Sequence, residues 1–138
     1  MNNQTEFEMC RQFTAILRDA ERLGLLKDCV WFQVPNGQRI ADPKKRMYAC
    51  VKDKQIGALS GVWDYCFIFR PKNSMYYVTA FLEAKSDKGR LTPQQLVFKD
   101  RLDDLGVESG VFRTVEEGLR HLITAGVNFD PRFTSTIK

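Results

Sequence analysis

An α/β sandwich built on a central mixed β-sheet flanked by helices is the fold class that the sequence predicts. Three observations predict it: an amphipathic helical pattern near the N-terminus, two apolar strand-like segments joined by a turn, and an alternation of helix, strand and helix after them. The first helix spans residues 6–23, because Met9, Phe13, Ile16, Leu17 and Ala20 recur at three- and four-residue spacing and Gly24 supplies a stop. Residues 29–34, rich in aromatic and β-branched side chains, read as a strand that ends at the Pro35-Asn36-Gly37 turn. Asp42 and Pro43 suit an N-cap and a first helical position, opening a helix to about residue 53 with Met47, Cys50 and Val51 as its apolar stripe. Residues 65–70 and 76–85 form an antiparallel hairpin around Asn73-Ser74. A helix over 93–105, closed by Gly106, leads to a strand at 110–113 and a last helix over 114–126. The helix between the last two strands allows a parallel crossover. Residues 128–138 carry no pattern and are expected to form a partly disordered tail after a domain spanning 1–127.

Composition bounds the function without naming it. The 138 residues, 43% hydrophobic and 28% charged, suit one soluble domain with a single core. A net charge of +4 is compatible with a polyanionic partner but does not specify one. Cys10, Cys29, Cys50 and Cys66 contain no CxxC pair, and His121 is the lone histidine, which argues against a zinc site and a disulfide framework. Each cysteine sits among apolar residues and reads as a reduced core residue. The first residues carry no signal-peptide pattern, and no stretch approaches the roughly 20 apolar residues that cross a bilayer. A cytoplasmic protein without a membrane partner is therefore expected.

The chemistry concentrates at one strand end. Period-two alternation puts Glu83 and Lys85 on one face with Tyr77, Thr79 and Phe81, and Val78, Ala80, Leu82 and Ala84 on the other. Both faces are largely apolar, so this is a central strand, and charges at its end are costly unless they pair or hold a ligand. In the hairpin, Asp64 lies beside Glu83. Two carboxylates and a backbone carbonyl form a plausible open Mg²⁺ site, with a lysine alongside to orient water or neutralise a phosphate. An acid-x-lysine triplet is weak by itself: Asp42-Pro43-Lys44 is a second one, and a surface ion pair explains Glu83 and Lys85 as well.

The flanking segments narrow the choice. Pro35-Asn36-Gly37, the loop from Gly57 through Gly61 to Asp64, the Glu83-Ala84-Lys85 strand and the Thr92-Pro93-Gln94-Gln95 helix start occur in that order. Together they resemble the VRR-NUC (virus-type replication-repair nuclease) family of the PD-(D/E)xK superfamily, over nearly the whole chain. Trp63 departs from the pattern, standing where that family usually has proline before the aspartate.

The resemblance implies a restriction-endonuclease-like sandwich and a Mg²⁺- or Mn²⁺-dependent DNA endonuclease. Asp64, Glu83 and the Ala84 carbonyl would bind the metal, and Lys85 would be catalytic. Gln95 would face the active site, although Thr92 to Gln95 is equally a capping box. A first-helix glutamate would approach the site, Glu6 fitting best and Glu8 remaining the alternative; either is also an ordinary first-turn acid. Asn36, Arg39, Lys44, Lys45, Lys88 and Arg90 are the candidate DNA contacts, each explained as well by a turn or a solvated face. Stand-alone relatives in phages and bacteria imply a homodimer acting on branched DNA, including four-way junctions. The alternatives are a DNA-binding module that has lost catalysis, and a restriction-type nuclease of another branch.

Overall fold

The computed structural model describes residues 5–35, 42–55, 57 and 59–137. Asn36 and Arg39 lie outside the described residues. Helix α1 (Glu6–Arg22) starts where the Thr5 hydroxyl accepts the Glu8 N–H and buries Met9, Cys10, Phe13, Leu17 and Ala20, the expected apolar face. Strands β1 (Leu26–Lys27) and β2 (Cys29–Gln33) follow, then α2 (Pro43–Gln55), β3 (Tyr65–Phe69) and β4 (Val78–Ala84). Helix α3 (Pro93–Asp104), β5 (Glu108–Phe112), α4 (Val115–Ala125), β6 (Asn128–Phe129) and the short α5 (Pro131–Thr134) complete the order.

The main sheet runs β2-β3-β4-β5. Its first two pairings are antiparallel, and β4 with β5 is parallel, the crossover being made by α3. The sheet is therefore mixed, with helices on both sides, as the element order predicts. Alternation along β4 sends Ala80, Leu82 and Ala84 into a large core with Phe13 and Leu17 of α1, Tyr65 and Phe67 of β3, and Leu119 and Leu122 of α4. The opposite face carries a smaller cluster, Trp63, Phe98 and Leu102, with Phe81 and Val111 against it. Glu83 belongs to this second face.

Three expectations are corrected. Strand β4 starts at Val78 rather than Tyr76, because the Tyr76 N–H and carbonyl are both engaged by the Ser74 hydroxyl in the turn. On α2, Met47 and Val51 of the expected apolar stripe are exposed rather than buried. The segment after Val127 is no tail through residue 137: β6 pairs antiparallel with β1, and Val127 and Phe129 are buried. The Asp130 carboxylate caps α5, and the Asp130 N–H donates to the Leu25 carbonyl. Strands of two residues are too short to show a period, which is why the sequence hides this seam. Among the described residues, no helix is long and apolar enough to cross a membrane.

Candidate active site

Register brings the acidic pair together. Tyr65 pairs with Leu82, so the next residues outward, Asp64 and Glu83, meet at the end of the hairpin. Their hydrogen bonds are reciprocal: the Asp64 N–H donates to Glu83 Oε1 at 3.0 Å, and the Ala84 N–H donates to Asp64 Oδ2 at 3.0 Å. Each carboxylate thus continues the ladder of the neighbouring strand where the backbone pairing stops. The Val34 N–H holds the Asp64 carbonyl at 2.7 Å, and the Lys85 N–H holds the Phe112 carbonyl at 3.0 Å. Asp64 and Lys85 are in this way tied to the two outer strands as well.

Charge is concentrated and poorly solvated here. Glu83 is 2% exposed, Lys85 9% and Gln95 7%. Lys85 Nζ lies 3.4 Å from Glu83 Oε2, an ion pair with little access to water. Burial, then the Asp64 charge, pushes the Glu83 carboxyl above its ordinary range, with Lys85 opposing the shift. Burial also raises Asp64; the Ala84 N–H and the Lys85 charge oppose that, and the charge of Glu6 adds to it. Glu6 is exposed in the first turn of α1, close enough to act on Asp64 through its charge.

Gln95 serves two purposes with two different atoms. Its N–H donates to the Thr92 hydroxyl and its Oε1 accepts the Thr92 N–H, which completes the capping box. Its Nε2 donates to Glu83 Oε2 at 2.7 Å. Capping and contact with the acidic pair coexist because the amide has a separate acceptor and donor. The cap also locks the rotamer that delivers the second bond.

Trp63 is the residue that sequence reasoning undervalued. Fully buried, it fills the second core, and its indole N–H donates to the Gln95 carbonyl at 3.2 Å. Trp63 therefore supports the acidic site from below. Gly61 completes the approach of this loop to α3. Its φ is +79°, and a Cβ there would sit 2.4 Å from the Gln94 backbone.

The basic candidates are placed differently. Lys88 and Arg90 are exposed on the loop after Lys85, and that loop is fastened by Arg113, whose Nη1 donates to the carbonyls of Ser86, Asp87 and Gly89. Lys44 and Lys45 are exposed in the first turn of α2, where both N–H groups donate to Asp42, the expected N-cap. His121 bonds the Val111 carbonyl through Nε2, a structural contact between α4 and β5.

Among the described residues, no three His, Cys, Asp or Glu side chains converge as a cation cage. What the strand end offers is two carboxylates, with the Ala84 main chain between Glu83 and Lys85. Hard oxygens of this kind suit Mg²⁺ or Mn²⁺, which keep several waters and need few protein ligands. A divalent cation would also offset the burial that, together with nearby negative charge, raises both carboxyls. The donor set fits such an ion. No protein-family model, curated protein or solved structure matches the chain.

Proposed function

We propose that this chain is a divalent-metal-dependent nuclease that hydrolyses phosphodiester bonds in DNA. The observation that carries the reading is the convergence of Asp64, Glu83, Lys85 and Gln95 at one end of the central hairpin. A buried carboxylate, Glu83, lies beside the half-buried Asp64, an arrangement that costs stability and is common at functional sites. The ordered motifs that resemble the VRR-NUC family add support.

In this reading Asp64, Glu83 and the Ala84 carbonyl would hold Mg²⁺ or Mn²⁺, which would supply a water of lowered pKa and neutralise charge on the phosphate. Glu83 is aimed by three donors, the Asp64 N–H, Gln95 Nε2 and Lys85 Nζ, so its position is set before substrate arrives. Lys85 stands where its ammonium can orient the attacking water or neutralise a phosphate oxygen as negative charge builds there. Water oxygen bonds to phosphorus in line and gives up a proton to solvent, the bond to the leaving oxygen breaks, and that oxygen takes up a proton from solvent. Glu6 adds negative charge at the rim, and Lys88 and Arg90 offer phosphate contacts beside the lysine.

Cleavage of labelled linear and branched DNAs in Mg²⁺ or Mn²⁺ tests the proposal. Asp64→Ala and Glu83→Ala should each lower the rate at least about a hundredfold, or about 3 kcal/mol in the barrier. Variants that cut as fast as the parent would sink it. One site per chain makes coordinated cutting of two strands a task for a homodimer. Native mass and the branched substrates test dimerisation and junction preference together.

A binding module without catalysis is the second reading, favoured by one observation. Among the described residues, every buried side-chain nitrogen and oxygen already has a partner within the chain. Calorimetry separates the two: DNA binding with no Mg²⁺ heat favours the module.

A further inference from the structure

A recess lies between α1 and β2. One lobe, about 430 Å³, is lined by Thr14, Arg18, Glu21 and Gln33 among others. A second, about 280 Å³, shares Thr14, Arg18 and Gln33 and extends past Arg11 to Phe7. The shared residues make the two lobes one groove. Arg11 and Arg18 are exposed and, among the described residues, neither has an ion-pair or hydrogen-bond partner. Arg22, Arg70 and Arg132, by contrast, each pair with an aspartate. Glu21, the acid in the groove, accepts the Trp31 indole N–H.

Arg11 and Arg18 are seven residues apart on α1, hence on one face and about 10 Å apart along the axis. That distance is too long for both to clasp one phosphate and suits two phosphates of one strand. Phe7 at the mouth is exposed and offers a ring face to a base. An unpaired basic track with an aromatic at its end is the pattern that holds single-stranded nucleic acid. The groove leads to the candidate site: Gln33 pairs with Tyr65, the Val34 N–H holds the Asp64 carbonyl, and Glu6 precedes Phe7.

We propose that the α1–β2 groove binds a single-stranded DNA segment, with Arg11 and Arg18 on its phosphates, and leads it to the Asp64–Glu83 site. This rests on the nuclease reading and names its substrate class: DNA with a single-stranded arm beside the bond to be cut. The experiment reads binding, not cleavage. Fluorescence anisotropy of the full chain in EDTA uses a labelled oligothymidine of about 15 nucleotides, a splayed-arm duplex and a plain duplex. Parent, Arg11→Ala/Arg18→Ala, Arg11→Lys/Arg18→Lys and the control Arg120→Ala are compared over a salt series.

The double alanine variant should lower affinity for the oligothymidine about tenfold and reduce the log–log salt slope by about 1.4. The parent's preference for the splayed arm over the duplex should disappear with it, and the double lysine variant should restore the slope. Circular dichroism controls for folding. If the parent binds DNA and the double variant matches it, or Arg120→Ala loses as much, the groove proposal falls and the nuclease reading stands. A parent that binds none of the DNAs overturns the groove proposal, and cleavage in Mg²⁺ or Mn²⁺ decides the nuclease reading separately.

Discussion

The two faces of the central sheet are built on different principles. Against α1 and α4 lies a continuous aromatic layer, in which the Phe13 ring is 5.2 Å from Tyr65 and 4.7 Å from Phe112. Among the described residues, the face against α3 buries Trp63, Phe98 and Leu102 in its core, and then gives way to Glu83, Lys85 and Gln95. One face lowers the free energy of the fold, while the other carries charges that raise it. Leu82 and Ala84, packed on the first face, flank Glu83 on the second. Alternation along β4 therefore lets an apolar layer fix the position of a charged side chain it never touches.

The largest effect that could break this contrast is loss of the aromatic layer. Phe13→Ala should destabilise by about 3–5 kcal/mol, and Phe98→Ala at the thinner face by at least about 1 kcal/mol less. Equal losses in urea unfolding would mean that the faces do not differ as described. A second effect has the opposite sign. Burial and the Asp64 charge raise Glu83 to about 8 in the folded chain, against an ordinary 4.5. The folded state then holds the proton more tightly than the unfolded state. This contribution to stability is complete below about 4.5 and is lost as pH rises through about 8. Asp64, also raised, acts in the same direction. The metal-free parent should lose stability between these limits, and Glu83→Gln should be the more stable protein at pH 8 by about 1–2 kcal/mol. Thermal unfolding in EDTA across that range checks this; a parent whose stability rises with pH contradicts it. Smallest is Trp63→Phe, which keeps a ring in the core but removes the bond to Gln95. About 1 kcal/mol of stability and a several-fold lower cleavage rate are expected. A stability loss with an unchanged rate would make Trp63 a core residue alone.

The sequence made local features legible and distant ones obscure. The α1 stripe, the hairpin and the Thr92 cap are each written within a few consecutive residues, and the structure forms all three. Placing Asp64 opposite Glu83 needed only the hairpin, because the two residues face each other across one turn. The seam of β1 with β6 joins segments about a hundred residues apart, and nothing in either pair of residues announces the other. Trp63 was readable only as a departure from a motif, since its bond to Gln95 depends on how α3 settles on the sheet. Strand β5 starts at Glu108, ahead of the apolar residues that mark it, because parallel pairing with Ala80 extends it. The groove arginines share a helical face that the apolar stripe of α1 does not use. A search for core positions passes over them.

The Arg113 fastening has a consequence for binding rates and affinities. Its guanidinium satisfies three carbonyls of the loop that follows Lys85, so the backbone bearing Lys88 and Arg90 is ordered when the protein folds. A ligand meeting that loop need not freeze it, and the entropy of ordering does not subtract from affinity. Under the proposed function, recognition there would be closer to lock-and-key than to wrapping, with the ligand the partner that must bend.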